Sequence, residues 1–284
     1  MKRRNCAPNT VKNYLSLIRH FVIWIDVPVE EVMPATVSGY IDHLMKKRMA
    51  PKTVNCHLDG IRQFYHYLRE EEGIGIINPV KKSHHQKMSR PLPRYLRGEQ
   101  LRVLFDQVKE PRDRSIFMLM LRCGLRVEEV ARLTLGAVDV KRRTILVEDG
   151  KGGKDRVVYM SHDALEALMD YVRVRPASRA RRIFLVRKGL CTGQPISIRG
   201  IQKRMEHYAK KAKLRASCHQ LRHTMATQLL NADADLCTIQ DLLGHANVKT
   251  TQRYCQISNL KVQRDYFNAM EVIRQRGVGN PDNP

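Results

Sequence analysis

The chain has 284 residues, 43% of them hydrophobic, which is enough for two modest domains that each bury a core. Its 51 Lys and Arg outnumber 28 Asp and Glu, for a formal net charge of +23 spread along the sequence rather than gathered in a tail. Such a folded basic surface suits a polyanion, and with no membrane-length apolar run and no lipidation motif the expected partner is nucleic acid rather than a membrane.

In chain order, the apolar stripe Val11, Tyr14, Leu15, Ile18, Phe21, Val22 and Ile25 predicts a first helix. Val37, Ile41, Leu44 and Met45 keep the same spacing after Pro34. Val54, Leu58, Ile61, Tyr65 and Leu68 repeat it after Pro51, a residue suited to a helix start. Three amphipathic helices thus make a first domain over residues 1–80. From Val80 to Arg94 there are basic residues, His84-His85 and two prolines without apolar period, which predicts an extended basic linker over 81–95. The second domain, 96–276, holds a helix from about Pro111 to Arg122 and another at Arg126, with Val130 and Leu133 inward. The runs 143–148 and 156–160 are β-rich and joined by Gly150-Lys151-Gly152-Gly153-Lys154, so they predict a hairpin with Lys151 at its tip. Leu221, Met225, Leu229 and Leu230 recur helically, as do Leu236, Ile239, Leu242 and Leu243 until Gly244 stops the helix, leaving His245 just past its end. Val262, Tyr266, Met270 and Ile273 form a last stripe, and 277–284 reads as a disordered tail. Seven cysteines without a CxxC pair argue against a disulfide framework and fit a reducing cytoplasm.

The chemistry is concentrated late in the chain. His219-Gln220-Leu221-Arg222, then Leu243-Gly244-His245, then Tyr254 make a basic, hydroxyl-bearing set suited to metal-free attack on a phosphodiester. With Gly124-Leu125-Arg126-Val127-Glu128-Glu129-Val130 and the Gly150–Lys154 turn, five motifs stand in order, and Ala50-Pro51-Lys52-Thr53-Val54 opens a helix ahead of them. In them the chain resembles the tyrosine recombinase (phage integrase) family, in its Xer-like, minimal two-domain form.

That resemblance implies a mainly α fold with a small β-sheet: an N-terminal four-helix, SAM-like core-binding domain and a mixed α/β catalytic domain, on opposite sides of a DNA duplex. It implies a site-specific recombinase that cuts and rejoins DNA through a 3′-phosphotyrosine, as a homo-tetramer on paired inverted-repeat sites and a monomer or dimer when free. It leaves open an accessory protein and calls for no cofactor and no metal. Arg126 and Arg222 would clamp the phosphate, because a planar, always-charged fork can donate two hydrogen bonds to it. Tyr254 would be the nucleophile, Lys151 the general acid to the leaving 5′-oxygen, and His219 the acceptor of the tyrosyl proton or a phosphate donor. His245 would donate to the same phosphate, and Glu129 would orient the clamp. Lys52 and Lys154 would contact DNA. The terminal helix would dock on a neighbouring protomer or on its own domain.

Two readings compete on function. A type IB topoisomerase would use similar residues without site preference, and a DNA-binding regulator with a vestigial site would bind without a covalent link; motif spacing opposes the first and the intact residue set the second. Cys218, His219, His223 and His245 could also be read as zinc ligands, but no second ligand pair recurs and a cation would oppose two arginines. Two positions depart from the family pattern. Leu96-Arg97-Gly98 replaces the usual Ser or Thr at a helix start, and Cys123 stands where Thr is usual.

Overall fold

A computed structural model describes residues 8–88, 94–148, 155–244, 264 and 266–273 of the chain, which divides into two compact units, Met1–Pro91 and Leu92–Pro284. Among the described residues no helix is long and apolar enough to cross a membrane.

The first unit is built on α1 (Pro8–Trp24), α2 (Pro34–Lys46) and α3 (Pro51–Glu70). Pro34 and Pro51 each occupy a first helical position, where their missing N–H is no loss. Phe21, Val37, Tyr40, Leu44, Val54, Leu58, Ile61 and Tyr65 close the core. Leu15 and Val22 belong to the sequence stripe but are exposed, so α1 buries a narrower face than its apolar spacing predicts. The unit's polar interior is uncharged in character: Tyr40 Oη and His57 Nδ1 lie 2.9 Å apart, and Tyr65 Oη donates to the Val29 carbonyl at 2.7 Å. The described residues contain three α-helices and two 3₁₀ turns here, not the four helices expected.

The stretch expected as an extended linker begins folded. Val80 is buried in the first core, and residues 82–84 form a 3₁₀ turn. Asn55 exchanges two hydrogen bonds with the Gln86 backbone, at 2.9 and 2.7 Å, and His85 Nε2 lies 3.3 Å from Asp59 Oδ1. Side chains on α3 thus supply the partners that periodicity cannot show. At its other end Leu96 is buried in the second unit, its N–H donating to Thr224 Oγ1 at 2.9 Å.

The second unit packs α4 (Gly98–Gln107), α6 (Val127–Arg132), α7 (His162–Arg173), α8 (Ile198–Lys211) and α9 (Cys218–Asn231) around α5 (Pro111–Arg122), whose residues 115–121 are all buried. Helix α10 (Leu236–Leu243) packs on α9. Strands β1 (Val138–Asp139), β2 (Thr144–Val147) and β3 (Arg156–Tyr159) form an antiparallel sheet in that order. In the β2–β3 register Ile145 faces Val158 and both are fully buried, whereas Leu146 and Val157, also paired, are exposed. This alternation seats the sheet on the helices and turns Arg156, in phase with Val158, inward.

Three local devices shape the site end of this unit. Arg126 is the residue before α6, and its N–H donates to the Glu129 carboxylate at 2.7 Å, closing the first turn. Asp235 caps α10 by accepting from the N–H groups of Cys237 and Thr238. Gly244 ends α10 at φ +57°, a left-handed conformation that glycine adopts without Cβ strain.

Candidate active site

Two arginines far apart in sequence meet at the end of α10. Arg126 Nη2 donates to the carbonyls of Leu243 at 3.2 Å and Gly244 at 3.0 Å. Arg222, on α9 and 2% exposed, donates through Nη2 to the same Leu243 carbonyl and through Nη1 to the Gly124 carbonyl. The last carbonyls of a helix lack partners within it and sit at the negative end of its dipole, so they are natural seats for guanidinium groups. Gly124 is fitted to its place: at φ +63° its backbone is left-handed, and a Cβ there would stand 2.7 Å from Met225 Sδ.

Glu129 supports Arg126, accepting from its Nη1 at 2.7 Å through Oε1. The carboxylate is also gripped by a third arginine, Arg156 at the start of β3. Arg156 Nη1 and Nη2 donate to Oε1 and Oε2 at 2.9 and 2.8 Å, while its Nε donates to the Leu242 carbonyl at 3.0 Å. Burial alone would raise the Glu129 carboxyl; the hydrogen bonds and charge of Arg156 and Arg126 outweigh it and bring the group down to about 2. Two guanidiniums on one carboxylate leave one net positive charge among Arg126, Arg156 and Glu129.

His219 lies on the first turn of α9, its ring in edge-to-face contact with that of His223, centroids 4.2 Å apart. Desolvation first, and then the charges of Arg222 and Arg126, hold its imidazole below the ordinary 6.5. It is therefore neutral at pH 7 and able to accept a proton. Cys218 is buried, and its thiol is pushed up to about 11 by desolvation. The Cys123 thiol is pushed up to about 12 for the same reason, so it stays an uncharged core thiol.

Of the residues named from sequence, Arg126, Glu129, His219 and Arg222 thus lie in one unit and interact. Lys52 is exposed on the first turn of α3 in the other unit. Lys151, Lys154, His245 and Tyr254 lie outside the described residues, as does Val262 of the terminal stripe; residues 266–273 are helical and carry exposed Tyr266, Phe267, Met270 and Ile273. Arg156 carries no motif signature in the sequence. Its signal is the phase of the strand: a charged residue two positions from buried Val158 points inward and demands a buried countercharge.

The phage integrase family profile matches residues 94–260, and that of the phage integrase N-terminal SAM-like domain matches residues 1–73. The chain belongs to the phage integrase family of tyrosine site-specific recombinases. Tyrosine recombinase XerC of Staphylococcus haemolyticus is 31% identical over 277 residues, covering 94% of this chain and 92% of the relative. XerC of Halalkalibacterium halodurans is 33% identical over 279 residues, covering 93% and 91%. Among solved structures, XerA recombinase aligns with a TM-score of 0.57 at 26% identity, over 95% of this chain and 94% of that one. The Tn1549 transposon integrase in complex with transposon right end DNA shares the fold, with a TM-score of 0.77 at 18% identity over 95% and 96%.

Proposed function

We propose that this recombinase cuts one DNA strand by attack of the Tyr254 hydroxyl on a phosphodiester bound between Arg126 and Arg222. The observation that carries this reading is the convergence of both guanidiniums on the Leu243 carbonyl, which fixes two always-charged forks side by side in a partly water-excluded setting. As Tyr254 Oη bonds to phosphorus, its proton passes to neutral His219. The bond to the 5′-oxygen breaks, and that oxygen takes a proton from the Lys151 ammonium. The products are a 3′-phosphotyrosine, which conserves the energy of the phosphodiester, and a 5′-hydroxyl able to reverse the reaction on a partner strand. His245 donates to the same phosphate, and Glu129 holds Arg126 in line.

The DNA is read as double-stranded with an inverted-repeat core site, engaged in the cytoplasm by residues 1–80, the basic run 81–95 and residues 96–276, with Lys52 and Lys154 on the backbone. Four protomers exchange strands pairwise on two sites. The net charge of +23 supports an affinity dominated by phosphate contacts, which falls steeply with salt.

The test is covalent capture. Wild type and Tyr254→Phe are incubated with a pool of duplex oligonucleotides randomised over about three helical turns, denatured, and the DNA that stays attached to protein is sequenced. Adducts converging on one inverted-repeat sequence, absent from the variant, are the expected result. Adducts scattered over unrelated sequences would replace a recombinase with a topoisomerase-like activity, and none in either protein would overturn the cleavage reading.

A further inference from the structure

We propose that Arg156 is a positioning residue of the cleavage reaction, one that takes up the charge of Glu129 so that the charge of Arg126 remains available to a phosphate. This rests on the reading above that Arg126 contacts the scissile phosphate.

The geometry distinguishes this role from a simple strand anchor. Glu129 is 9% exposed by its side chain and lies between two arginines of unequal exposure, Arg126 at 24% and Arg156 at 10%. Arg156 meets it as a fork, one nitrogen to each oxygen, the arrangement in which an arginine and a carboxylate neutralise one another most completely. Arg126 donates a single side-chain bond to the same carboxylate and turns its other terminal nitrogen to the α10 carbonyls. Without Arg156, Arg126 and Glu129 form a neutral pair, and the carboxylate can draw the Arg126 fork towards itself. With Arg156 present, the three groups carry one net positive charge, located on the more exposed arginine. An orienting carboxylate otherwise has an electrostatic cost, because it places a negative charge beside the group meant to bind an anion; a second, more deeply placed arginine offsets that cost.

Arg156 is also fixed at its other end. Its Nε donates to the Leu242 carbonyl, so the helix end that seats Arg126 and Arg222 holds Arg156 too. Gly244 is part of the fit, because a Cβ on it would stand 3.0 Å from Arg156 Cδ and 3.2 Å from Nε. The side chain therefore ties β3, the start of α6 and the end of α10 together around the clamp.

The role predicts an unusual pattern of epistasis. The probe is a nicked duplex of the sequence that the wild-type protein selects by covalent capture from the randomised pool. Affinity and single-turnover covalent-complex formation are measured separately at saturating protein, per folded molecule. Arg156→Gln should slow covalent-complex formation about 10–100-fold, in the range of lost supporting contacts, while changing affinity by less than about threefold. Glu129→Gln in the Arg156→Gln background removes the negative charge that Arg126 alone would otherwise neutralise, so the double variant should react faster than Arg156→Gln alone. Arg156→Lys, which keeps the charge but loses the fork, should fall between wild type and Arg156→Gln. Multiplicative losses in the double variant would reduce Arg156 to an anchor and overturn the proposal, as would wild-type rates in Arg156→Gln. Absence of any Tyr254-dependent adduct in the wild-type protein would instead remove the reading on which the proposal stands, and the proposal with it.

Discussion

Among the described residues of the second unit two carboxylates are each gripped by two arginines, and their surroundings separate a structural network from the one proposed to act on DNA. Asp113, fully buried on α5, accepts from Arg112 Nε and Nη2 at 2.9 and 2.7 Å, from Arg204 Nε at 2.6 Å and from Tyr208 Oη at 3.0 Å. Glu129 likewise accepts four hydrogen bonds, three from side-chain nitrogens and one from the Arg126 backbone. The chemistry of the two carboxylates is nearly the same. What differs is where the arginines end. Around Asp113 they close on groups of the core: Arg112 Nη1 donates to the Leu185 carbonyl, and Arg204 Nη2 donates to Tyr208 Oη with its guanidinium 5.0 Å from that ring. Around Glu129 they end on the carbonyls of a helix terminus, one of which also receives Arg222. An arginine–carboxylate pair does not by itself mark a site; a further cation brought to the same place does.

The sharpest way to break this comparison is to remove each carboxylate. Asp113→Ala leaves buried Arg112 uncompensated and should cost about 3–5 kcal/mol of stability, while the cleavage rate per folded molecule changes little. The measurement is a urea titration of the second unit by far-UV circular dichroism, since the single tryptophan, Trp24, reports on the first unit. A loss of rate in the folded fraction would contradict the division between the two networks.

Glu129 sharpens the contrast through pH. It stays ionised in the folded chain down to about 2, against an ordinary 4.5. A depressed folded value means that its ion pairs contribute fully above pH 4.5 and are lost as pH falls towards 2, on the order of 3 kcal/mol in all. The stability gap between wild type and Glu129→Gln should therefore be widest at neutral pH and narrow over that window. A gap independent of pH would show that the carboxylate is not held by charge.

A substitution of intermediate effect probes the helix end. Gly244→Ala should cost about 1–2 kcal/mol for its left-handed backbone and, by crowding Arg156, should slow cleavage as well. For His219 the expected signature is in the rate. Its imidazole titrates below 6.5, so cleavage should fall on the acid side of that value as the ring gains a proton, and His219→Gln should flatten this limb. An acid limb that survives the substitution would give the proton-accepting role to another group.

Much of this organisation is legible in the sequence because it rests on local rules. Pro34, Pro51 and Pro111 open helices where their missing N–H costs nothing, Gly244 stops α10, and alternation across β2 and β3 fixes which side chains turn inward. Arg126, Glu129, His219 and Arg222 are named together from their motifs, and the structure places them in one unit. What escaped depends on contacts between distant segments. Between Met160 and Leu221 no helix is predicted, yet α7 buries a stripe half made of alanine, Ala164, Ala167, Leu168 and Tyr171, whose small side chains weaken the apolar signal. The first residues after Val80 looked like a linker because Asn55 and Asp59, their partners, lie on α3. Arg156 looked like one more basic residue in a chain with 51. Its meaning comes from Glu129 and Leu242, which no spacing rule connects to it.

In the proposed mechanism Arg126 and Arg222 act by meeting the negative charge of the phosphate, so the decisive experiment removes that charge. Single-turnover cleavage by Arg126→Ala and Arg222→Ala is compared on the selected site with an ordinary scissile phosphate and with a neutral methylphosphonate there. Losses of about 10²–10³-fold or more on the phosphate, largely recovered on the methylphosphonate in variants that remain folded, are the predicted result. Equal losses on both substrates would contradict the clamp and leave the two arginines as supports of the helix end alone.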